Sequence, residues 1–140
     1  MVQFPDGLPI LSFEHRLRSR YSETDKMGYV YYGRYLEYFE EARTEMIRSM
    51  GVCYSTMEKD GIMLPVIHSE IDYKHPLYYD EEILVKVHVY TAPSVKLVTY
   101  YEVIAQERDQ LCALGEVSLV FMNSVTRKPC RAPKYVLDAL

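Results

Sequence analysis

Apolar residues follow a helical pattern over one long stretch of the first half of the chain. They recur at intervals of three and four up to Met50, and Gly51 follows directly. This spacing predicts one face of an α-helix, and a glycine just past the pattern is typical of a helix C-terminus. We predict a helix of about five turns, or ~27 Å at 1.5 Å per residue. Its predicted apolar face contains Tyr35, Leu36, Phe39, Ala42, Arg43, Met46, Ile47 and Met50.

Alternating or apolar runs elsewhere predict β-strands. Residues 12–20 alternate as expected of a strand with one solvent-exposed face. Four further runs, separated by turns, lie at residues 64–73, 83–90, 95–105 and 111–122, and residues 133–140 suggest a short helix. One long apolar helix needs a broad surface to cover it, so we predict an α+β fold with four or five antiparallel strands around the helix. With 140 residues and no repeat or linker, residues 1–140 are expected to form a single domain.

Composition narrows the function classes. The net charge is −4 and no stretch is densely basic, so nucleic acid is not an expected partner. Three scattered cysteines suggest reduced thiols, and we expect Cys53 to be a small buried one. No apolar run reaches the ~18 residues of a membrane span, and the first residues lack a signal-peptide pattern. We therefore expect a cytoplasmic protein.

Motifs for metals and nucleotides are missing from the chain. The four histidines include no pair with the spacing of a helical zinc site, and no cysteine pair accompanies them. Neither a GxGxxG nor a GxxxxGK[ST] motif occurs. We expect no metal. The fourteen tyrosines could pack at sheet surfaces and subunit interfaces, or line a ligand pocket.

Asp25 is the strongest chemical candidate. It lies in a predicted turn over residues 22–28, just before the start of the long helix. Free backbone N–H groups and the positive end of the dipole gather at a helix N-terminus. A carboxylate beside such an anion-stabilising group suits acyl-transfer chemistry. A turn or capping role for Asp25 is the alternative, and Glu23 is a competing carboxylate.

Residues 24–43, TDKMGYVYYGRYLEYFEEAR, resemble a known signature. They match the pattern D-x-x-G-x-V-Y-x-x-x-Y of 4-hydroxybenzoyl-CoA thioesterase-like proteins, which hydrolyse acyl-CoA thioesters and have the hot-dog fold. Residues 40–46 are similar to the E-x-A-R-T/S-E segment of the Tol-Pal-associated acyl-CoA thioesterases. The resemblance implies that one long helix is wrapped by a curved antiparallel sheet. It also implies hydrolysis of a small or medium acyl-CoA, with CoA entering as part of the substrate rather than as a cofactor.

The resemblance assigns roles to particular residues. Asp25 would be the nucleophile or the general base, and the backbone N–H of Tyr32, with Gly33 nearby, would form the oxyanion hole. In the Tol-Pal-associated branch a histidine commonly stands where Tyr32 stands here, and a tyrosine is a poor proton shuttle near neutral pH. This argues against a histidine-assisted mechanism. The resemblance also implies substrate contacts from Tyr31, Leu64, Pro65 and Val66, and CoA phosphate contacts from Lys96 or from Arg127, Lys128 and Arg131.

In this family active sites lie between subunits, so a homodimer or homotetramer is expected. Three alternatives stay open. The substrate could be an acyl-carrier-protein thioester, or the chain could bind acyl-CoA or acyl carrier protein without turnover. A hydratase of the same fold is the third alternative, although the long helix contains no histidine for that chemistry.

Overall fold

One long helix packs against a five-stranded antiparallel sheet in the computed structural model, which describes residues 1–140. The strand order in this sheet is β1-β4-β5-β6-β3, and a separate two-stranded ladder joins β2 to β7. The elements in chain order are β1 (Leu11–Arg18), α1 (Arg34–Ser49), α2 (Tyr54–Lys59), β2 (Ile62–Met63), β3 (Val66–Tyr73), β4 (Glu82–Val89), β5 (Lys96–Ala105), β6 (Gln110–Val120), β7 (Met122–Asn123) and α3 (Lys134–Asp138).

The long helix is present, with two differences from its predicted form. It has 16 residues, so it is ~24 Å long rather than ~27 Å. The assignment of Leu36 to the apolar face is wrong, because its side chain is 43% exposed while Tyr38 is buried. Tyr38 can be buried because its hydroxyl donates to the Glu23 carboxylate, 3.0 Å away. The buried face of the helix therefore includes Tyr38, which is hydrogen-bonded, and not Leu36, which the spacing of apolar residues predicts.

The centre of α1 lies close to the middle of the sheet. The ring of Phe39 is fully buried and stacks on Tyr101 of β5 at 4.3 Å between centroids. Arg43, one turn further along the helix, is also buried, as predicted for this face. Its guanidinium donates to the hydroxyls of Tyr101 at 2.9 Å and Tyr54 at 3.4 Å. The helix is therefore attached to the sheet by both apolar packing and a buried polar network.

Short elements between the strands escape prediction from the sequence. Residues 52–61 read as a simple connector, yet they contain the six-residue helix α2. The prediction that Cys53 is buried is wrong, because this residue lies at the N-cap of α2 and is only half-buried. The predicted strand over residues 64–73 begins at Val66 instead, since Ile62–Met63 forms its own ladder with Met122–Asn123.

The first residues of the chain lie across the sheet face opposite α1. The backbone N–H of Val2 donates to the carboxylate of Asp72 at 2.8 Å, and the side chain of Val2 is buried. The ring of Phe4 packs against Tyr90 and Tyr100 of the outer face, at 6.3 and 5.3 Å between centroids. This segment therefore covers part of the outer face.

The two edges of the sheet are β1 and β3. Edge strand β3 carries exposed apolar side chains at Val66 (52%) and Ile67 (56%), where the register with β6 shifts.

No helix has the length and apolar character needed to cross a membrane.

Candidate active site

Asp25 is presented by a tight hairpin that precedes α1. The N–H of Asp25 donates to the carbonyl of Tyr29 at 2.8 Å, and the N–H of Gly28 donates back to the carbonyl of Asp25 at 3.0 Å. Gly28 has φ +81°, a conformation that favours glycine and that closes a short hairpin loop. The sequence Asp-Lys-Met-Gly therefore determines the position of the aspartate.

The two oxygens of the Asp25 carboxylate have different surroundings. Oδ1 accepts hydrogen bonds from the N–H groups of Met27 at 2.9 Å and Tyr29 at 3.3 Å. Oδ2 accepts none from the chain, although a carboxylate oxygen has two lone pairs for donors. The turn role considered above is thus real, but it uses only one oxygen. The second oxygen is available to another group.

A cleft of about 310 Å³ lies beside Asp25, between the hairpin, the start of α1 and the end of β3. This volume is within the usual range of small-molecule sites, roughly 300–1,000 Å³. Its wall is largely aromatic, with a cation and a histidine at one side. The lining residues are Asp25, Met27, Tyr29, Val30, Tyr32, Tyr35, Tyr73, Lys74, His75 and Pro76.

The chain segment that leads into α1 contains two free backbone donors. The N–H groups of Tyr32 and Gly33 donate to no acceptor in the chain, whereas the N–H of Tyr31 donates to the Glu23 carbonyl at 2.7 Å and that of Arg34 to the Tyr31 carbonyl at 2.9 Å. Gly33 is the N-cap and offers no side chain to satisfy the first turn. Free N–H groups at a helix N-terminus can stabilise a negative charge.

Gly33 leaves room for the Tyr31 ring and has an ordinary backbone angle. Its φ is −68°, which any residue adopts, but an added Cβ would lie 2.9 Å from the ring of Tyr31. That ring also packs on the ring of Tyr32, at 4.6 Å between centroids. A larger residue at position 33 would therefore displace the Tyr31 ring from its place against Tyr32.

Glu23 has a separate, structural environment. Its carboxylate accepts hydrogen bonds from the Tyr38 hydroxyl at 3.0 Å and from the N–H of Arg20 at 2.7 Å. Burial, together with the nearby Glu23 charge, raises the pKa of the Tyr38 hydroxyl. Glu23 lines a different, polar cleft with charged residues of β1 and α1, whereas Asp25 does not. Of the two candidate carboxylates, only Asp25 borders the aromatic cleft.

Two tyrosines of the aromatic wall, Tyr35 and Tyr73, stay protonated near neutral pH. Burial raises the pKa of Tyr35 to about 12, and the neighbouring Cys112 adds to the effect. Burial also raises the pKa of Tyr73, with a further contribution from Tyr32. These hydroxyls can therefore donate hydrogen bonds but do not exchange protons readily.

No group of three or more His, Cys, Asp or Glu side chains could hold a metal ion.

Several predicted substrate contacts lie elsewhere in the same chain. Leu64 lines an apolar cavity of about 20 Å³ near the C-terminal end of α1, and the carbonyl of Pro65 accepts from the N–H of Val120. Val66 lies on the exposed sheet edge. Lys96 lines a depression of about 260 Å³ on the outer face, beside Tyr90 and Tyr100. Tyr31 packs on Tyr32 without lining the aromatic cleft.

Sequence reasoning missed one side of the cleft. Tyr73, Lys74 and His75 come from the end of β3, almost fifty positions after Asp25. The bend at His75-Pro76 is visible in the sequence and marks where this strand ends. Nothing local indicates that this strand end meets the start of α1.

Comparisons with known proteins identify the family. A profile described as the Thioesterase-like superfamily matches residues 19–140. The chain is 31% identical to a putative esterase of Aquifex aeolicus over 130 residues, which are 93% of this chain and 98% of that protein. It is 42% identical to the putative acyl-CoA thioesterase YneP of Bacillus subtilis over 84 residues, and this alignment covers 60% of the chain and 61% of YneP.

Solved structures agree with this family and with the fold. The crystal structure of the DHNA-CoA thioesterase from Staphylococcus aureus superimposes with a TM-score of 0.84 and 35% identity, covering 91% of this chain and 85% of that one. A hypothetical protein of Aquifex aeolicus gives a TM-score of 0.85 and 31% identity over 91% of this chain and 98% of that one. The chain belongs to the thioesterase-like superfamily, and the hot-dog fold that residues 24–43 imply is confirmed.

Proposed function

We propose that this protein hydrolyses acyl-CoA thioesters to a free acid and CoA in the cleft beside Asp25. One observation carries the proposal: the cleft combines a half-free carboxylate with the start of α1, where two adjacent backbone N–H groups have no acceptor. Hydrolysis of a thioester needs both a group that delivers an oxygen nucleophile and donors that stabilise the oxyanion. The names of YneP and of the S. aureus DHNA-CoA thioesterase support the same substrate class.

Asp25 supplies the nucleophile in one of two ways. As a general base, its Oδ2 takes a proton from a water molecule whose oxygen attacks the thioester carbon. As a nucleophile, Oδ2 attacks that carbon itself to give a mixed anhydride, which water then hydrolyses. Both routes pass through a tetrahedral species whose C–S bond breaks to release the CoA thiolate, which takes up a proton. The fixed Oδ1 and free Oδ2 suit either route.

The backbone N–H groups of Tyr32 and Gly33 act as the oxyanion hole. They donate to the oxygen that was the thioester carbonyl as it gains charge. Removal of one such donor lowers kcat by about 10²–10³ in enzymes where it has been tested. Because the donors belong to the backbone, the side chain of Tyr32 is left to line the acyl site together with Tyr35 and Tyr73.

A homodimer or homotetramer in the cytoplasm is part of the proposal. Three side chains of the cleft, Tyr29, Tyr32 and Tyr73, are 38%, 62% and 48% exposed in the single chain. A second subunit would cover them and close the open side of the cleft. In this arrangement Leu64, Pro65, Val66 and the CoA-binding cation, whether Lys96 or a basic residue of the C-terminal segment, would act from the second subunit.

An acyl-carrier-protein thioesterase, a non-catalytic binder and a hydratase are the competing proposals. An acyl-carrier-protein thioesterase would use the same chemistry. It would differ only in that the thiol released belongs to acyl carrier protein instead of CoA. The free Oδ2 of Asp25 argues against a pure binder, because a protein that only binds the thioester needs no carboxylate beside it. The absence of histidine from α1 argues against the hydratase.

The test is thiol release from short, long and aromatic acyl-CoAs and from acyl-carrier protein. We expect the wild type to hydrolyse at least one acyl-CoA, and Asp25→Asn to lose about 10²–10⁴-fold in kcat, the usual contribution of a general acid or base. Glu23→Gln is the matched control and should keep its activity. Turnover of the carrier-protein thioester alone would favour that alternative, and binding without turnover would favour the binder. Full activity in Asp25→Asn would remove the aspartate from the mechanism.

A further inference from the structure

Two depressions in the surface share the residues Lys74 and His75. Both residues line the aromatic cleft beside Asp25. Both also line a second, more open depression of about 490 Å³, which Asp25 does not border. The remaining residues of this second depression are Arg108, Asp109, Gln110 and Leu111. A ligand that occupies both depressions therefore has to pass Lys74 and His75.

A β-bulge explains how two successive residues come to line the same cavities. The N–H groups of Lys74 and His75 both donate to the carbonyl of Cys112, at 2.8 and 3.1 Å. In a regular strand, successive side chains point to opposite faces of the sheet. A bulge places two residues of one strand opposite one residue of its neighbour and changes the direction of a side chain. The backbone just after β3 thus brings a lysine and a histidine to one place.

Lys74 carries a positive charge that no carboxylate of the chain neutralises. It is exposed and forms no salt bridge. Arg108, the other cation of the second depression, donates to both carboxylate oxygens of Glu81 at 2.6 and 3.0 Å, and to the carbonyl of Pro76 at 2.7 Å. The ammonium of Lys74 is therefore the cation that remains available to an anionic ligand.

Burial gives the aromatic cleft an inner and an outer end. Val30 and Tyr35 are only 4% and 3% exposed, whereas Lys74 and His75 are exposed. An apolar acyl group gains from burial, but a phosphate that leaves water without partners is strongly destabilised. A bound acyl-CoA is therefore expected to place its acyl group towards Val30 and Tyr35, and its nucleotide towards Lys74 and the second depression.

We propose that Lys74, with His75 beside it, binds a phosphate group of CoA where the pantetheine arm leaves the cleft. This inference rests on the proposed function, which makes acyl-CoA the ligand. The lysine ammonium is a point charge with three rotatable donors, and the imidazole ring supplies another donor. Asp109 is the carboxylate of the second depression, so the phosphate lies on the Lys74 side of it. CoA has a diphosphate and a 3′-phosphate, so this contact leaves another phosphate for a cation of the second subunit.

Removal of the charge tests the contact. Lys74→Met keeps a long apolar stem, and the position is exposed, so the thermal unfolding midpoint should not change. We expect KM for an acyl-CoA to rise about tenfold, the lower end of the effect of a hydrogen bond to a charged group because the site is open to water. The kcat should change little, since the phosphate is held equally before and during the reaction.

Two further variants serve as controls. Lys74→Arg keeps the charge and should retain most of the affinity. Lys59→Met removes another exposed lysine, at the end of α2, that lines neither the cleft nor the second depression. It should leave both constants unchanged. A tenfold rise of KM in Lys59→Met as well would mean that the net charge of the protein, and not a contact at Lys74, attracts CoA.

One acyl group attached to CoA, to dephospho-CoA and to pantetheine locates the contact. Lys74→Met should not alter KM for the pantetheine thioester, which has no phosphate. If its effect persists with dephospho-CoA, Lys74 contacts the diphosphate, and if the effect disappears, it contacts the 3′-phosphate. An equal effect on the pantetheine thioester would overturn the proposal. An effect confined to acyl groups that carry a carboxylate would also overturn it, since Lys74 would then bind the acyl group.

Calorimetric titration with CoA itself separates this proposal from the proposed function, because it needs no turnover. If the wild type is active, Asp25→Asn is not, and Lys74→Met matches Lys59→Met in KM and in CoA affinity, the phosphate contact is wrong while the function stands. If the wild type hydrolyses no thioester but Lys74→Met binds CoA about tenfold more weakly, the hydrolase proposal fails and the contact stands.

Discussion

The ring of Phe39 lies directly over the bare backbone of Gly115. A Cβ built on this glycine of β6 would stand 2.4 Å from two carbon atoms of the ring. Phe39 has little room to move, because it is fully buried and its ring stacks on Tyr101. The missing side chain at position 115 therefore determines how closely α1 approaches the sheet, and so where the start of α1 stands relative to the cleft.

Gly115→Ala should destabilise the protein. Overpacking of a well-filled core usually costs about 1–3 kcal/mol, and we expect the upper end of this range because the clash is with a ring that has no free side. Urea denaturation of both proteins measures the loss. In the Gly115→Ala background, the smaller side chain of Phe39→Leu should restore part of the lost stability. The double variant should then lose less stability than the sum of the two separate losses. Wild-type stability in Gly115→Ala would show that the helix shifts without cost.

Tyr101→Phe should cost more than Tyr54→Phe. Arg43 is buried and its hydrogen-bond partners in the chain are these two hydroxyls, of which Tyr101 is nearer and also contacts Thr99 at 2.6 Å. Removal of one partner of a buried polar group costs about 1–3 kcal/mol, more when the group is charged. The measurement is the free energy of unfolding of each variant. Equal effects would mean that water replaces the Tyr101 hydroxyl.

Protonation of Glu81 should account for part of the stability that the protein loses in acid. Arg108 donates to both of its oxygens, at 2.6 and 3.0 Å. Burial alone would raise the pKa of Glu81, but the Arg108 hydrogen bonds and the Tyr78 N–H outweigh burial and lower it. The pKa of Glu81 is therefore lower in the folded chain than in the unfolded chain, where it is about 4.3. The ionised carboxylate stabilises the fold at pH values above the unfolded pKa, and this stabilisation is lost as the pH falls through the lower pKa of the folded state.

Glu81→Gln therefore should be less stable than the wild type at pH 7, and the difference should shrink as the pH drops below about 4. Urea midpoints measured from pH 7 to pH 3 give the comparison, with the more exposed Glu107→Gln as control. A difference that stays constant with pH would mean that the charge of Glu81 contributes nothing to stability.

Cys53 should be more reactive than Cys112 near neutral pH. Hydroxyls of Ser55 and Thr56, each 3.1 Å from its sulfur, lower its pKa to about 7. Burial instead raises the pKa of the Cys112 thiol. Alkylation of Cys53, followed by mass spectrometry, should therefore reach half its maximal rate near pH 7. Replacement of Ser55 by Ala should move that midpoint upward, and an unchanged midpoint would exclude the hydrogen bond as the cause.

The sequence alone predicts the elements better than their contacts. Spacing locates α1 because the apolar residues that bury a helix must recur on one face. It fails at Leu36 and Tyr38 because a hydroxyl with a partner can be buried as easily as an aliphatic side chain. The ladder of Ile62–Met63 with Met122–Asn123 is too short to produce a pattern.

The candidate site, too, can be predicted from the sequence only in part. Asp25, Tyr32 and Gly33 are within nine positions of one another, so a hairpin followed by a helix brings them together through local geometry. Tyr73 comes from another strand, and its position depends on β3 being the edge beside β6. Alternation along a strand indicates which face is buried, but it does not indicate which strand is the neighbour.

The exposed edge of β3 has a consequence for the solubility of the single chain. Its unpaired backbone groups lie beside the apolar side chains of Val66 and Ile67, a combination that templates pairing with any other extended segment. The edge of β3 is therefore where aggregation of the single chain is expected to begin.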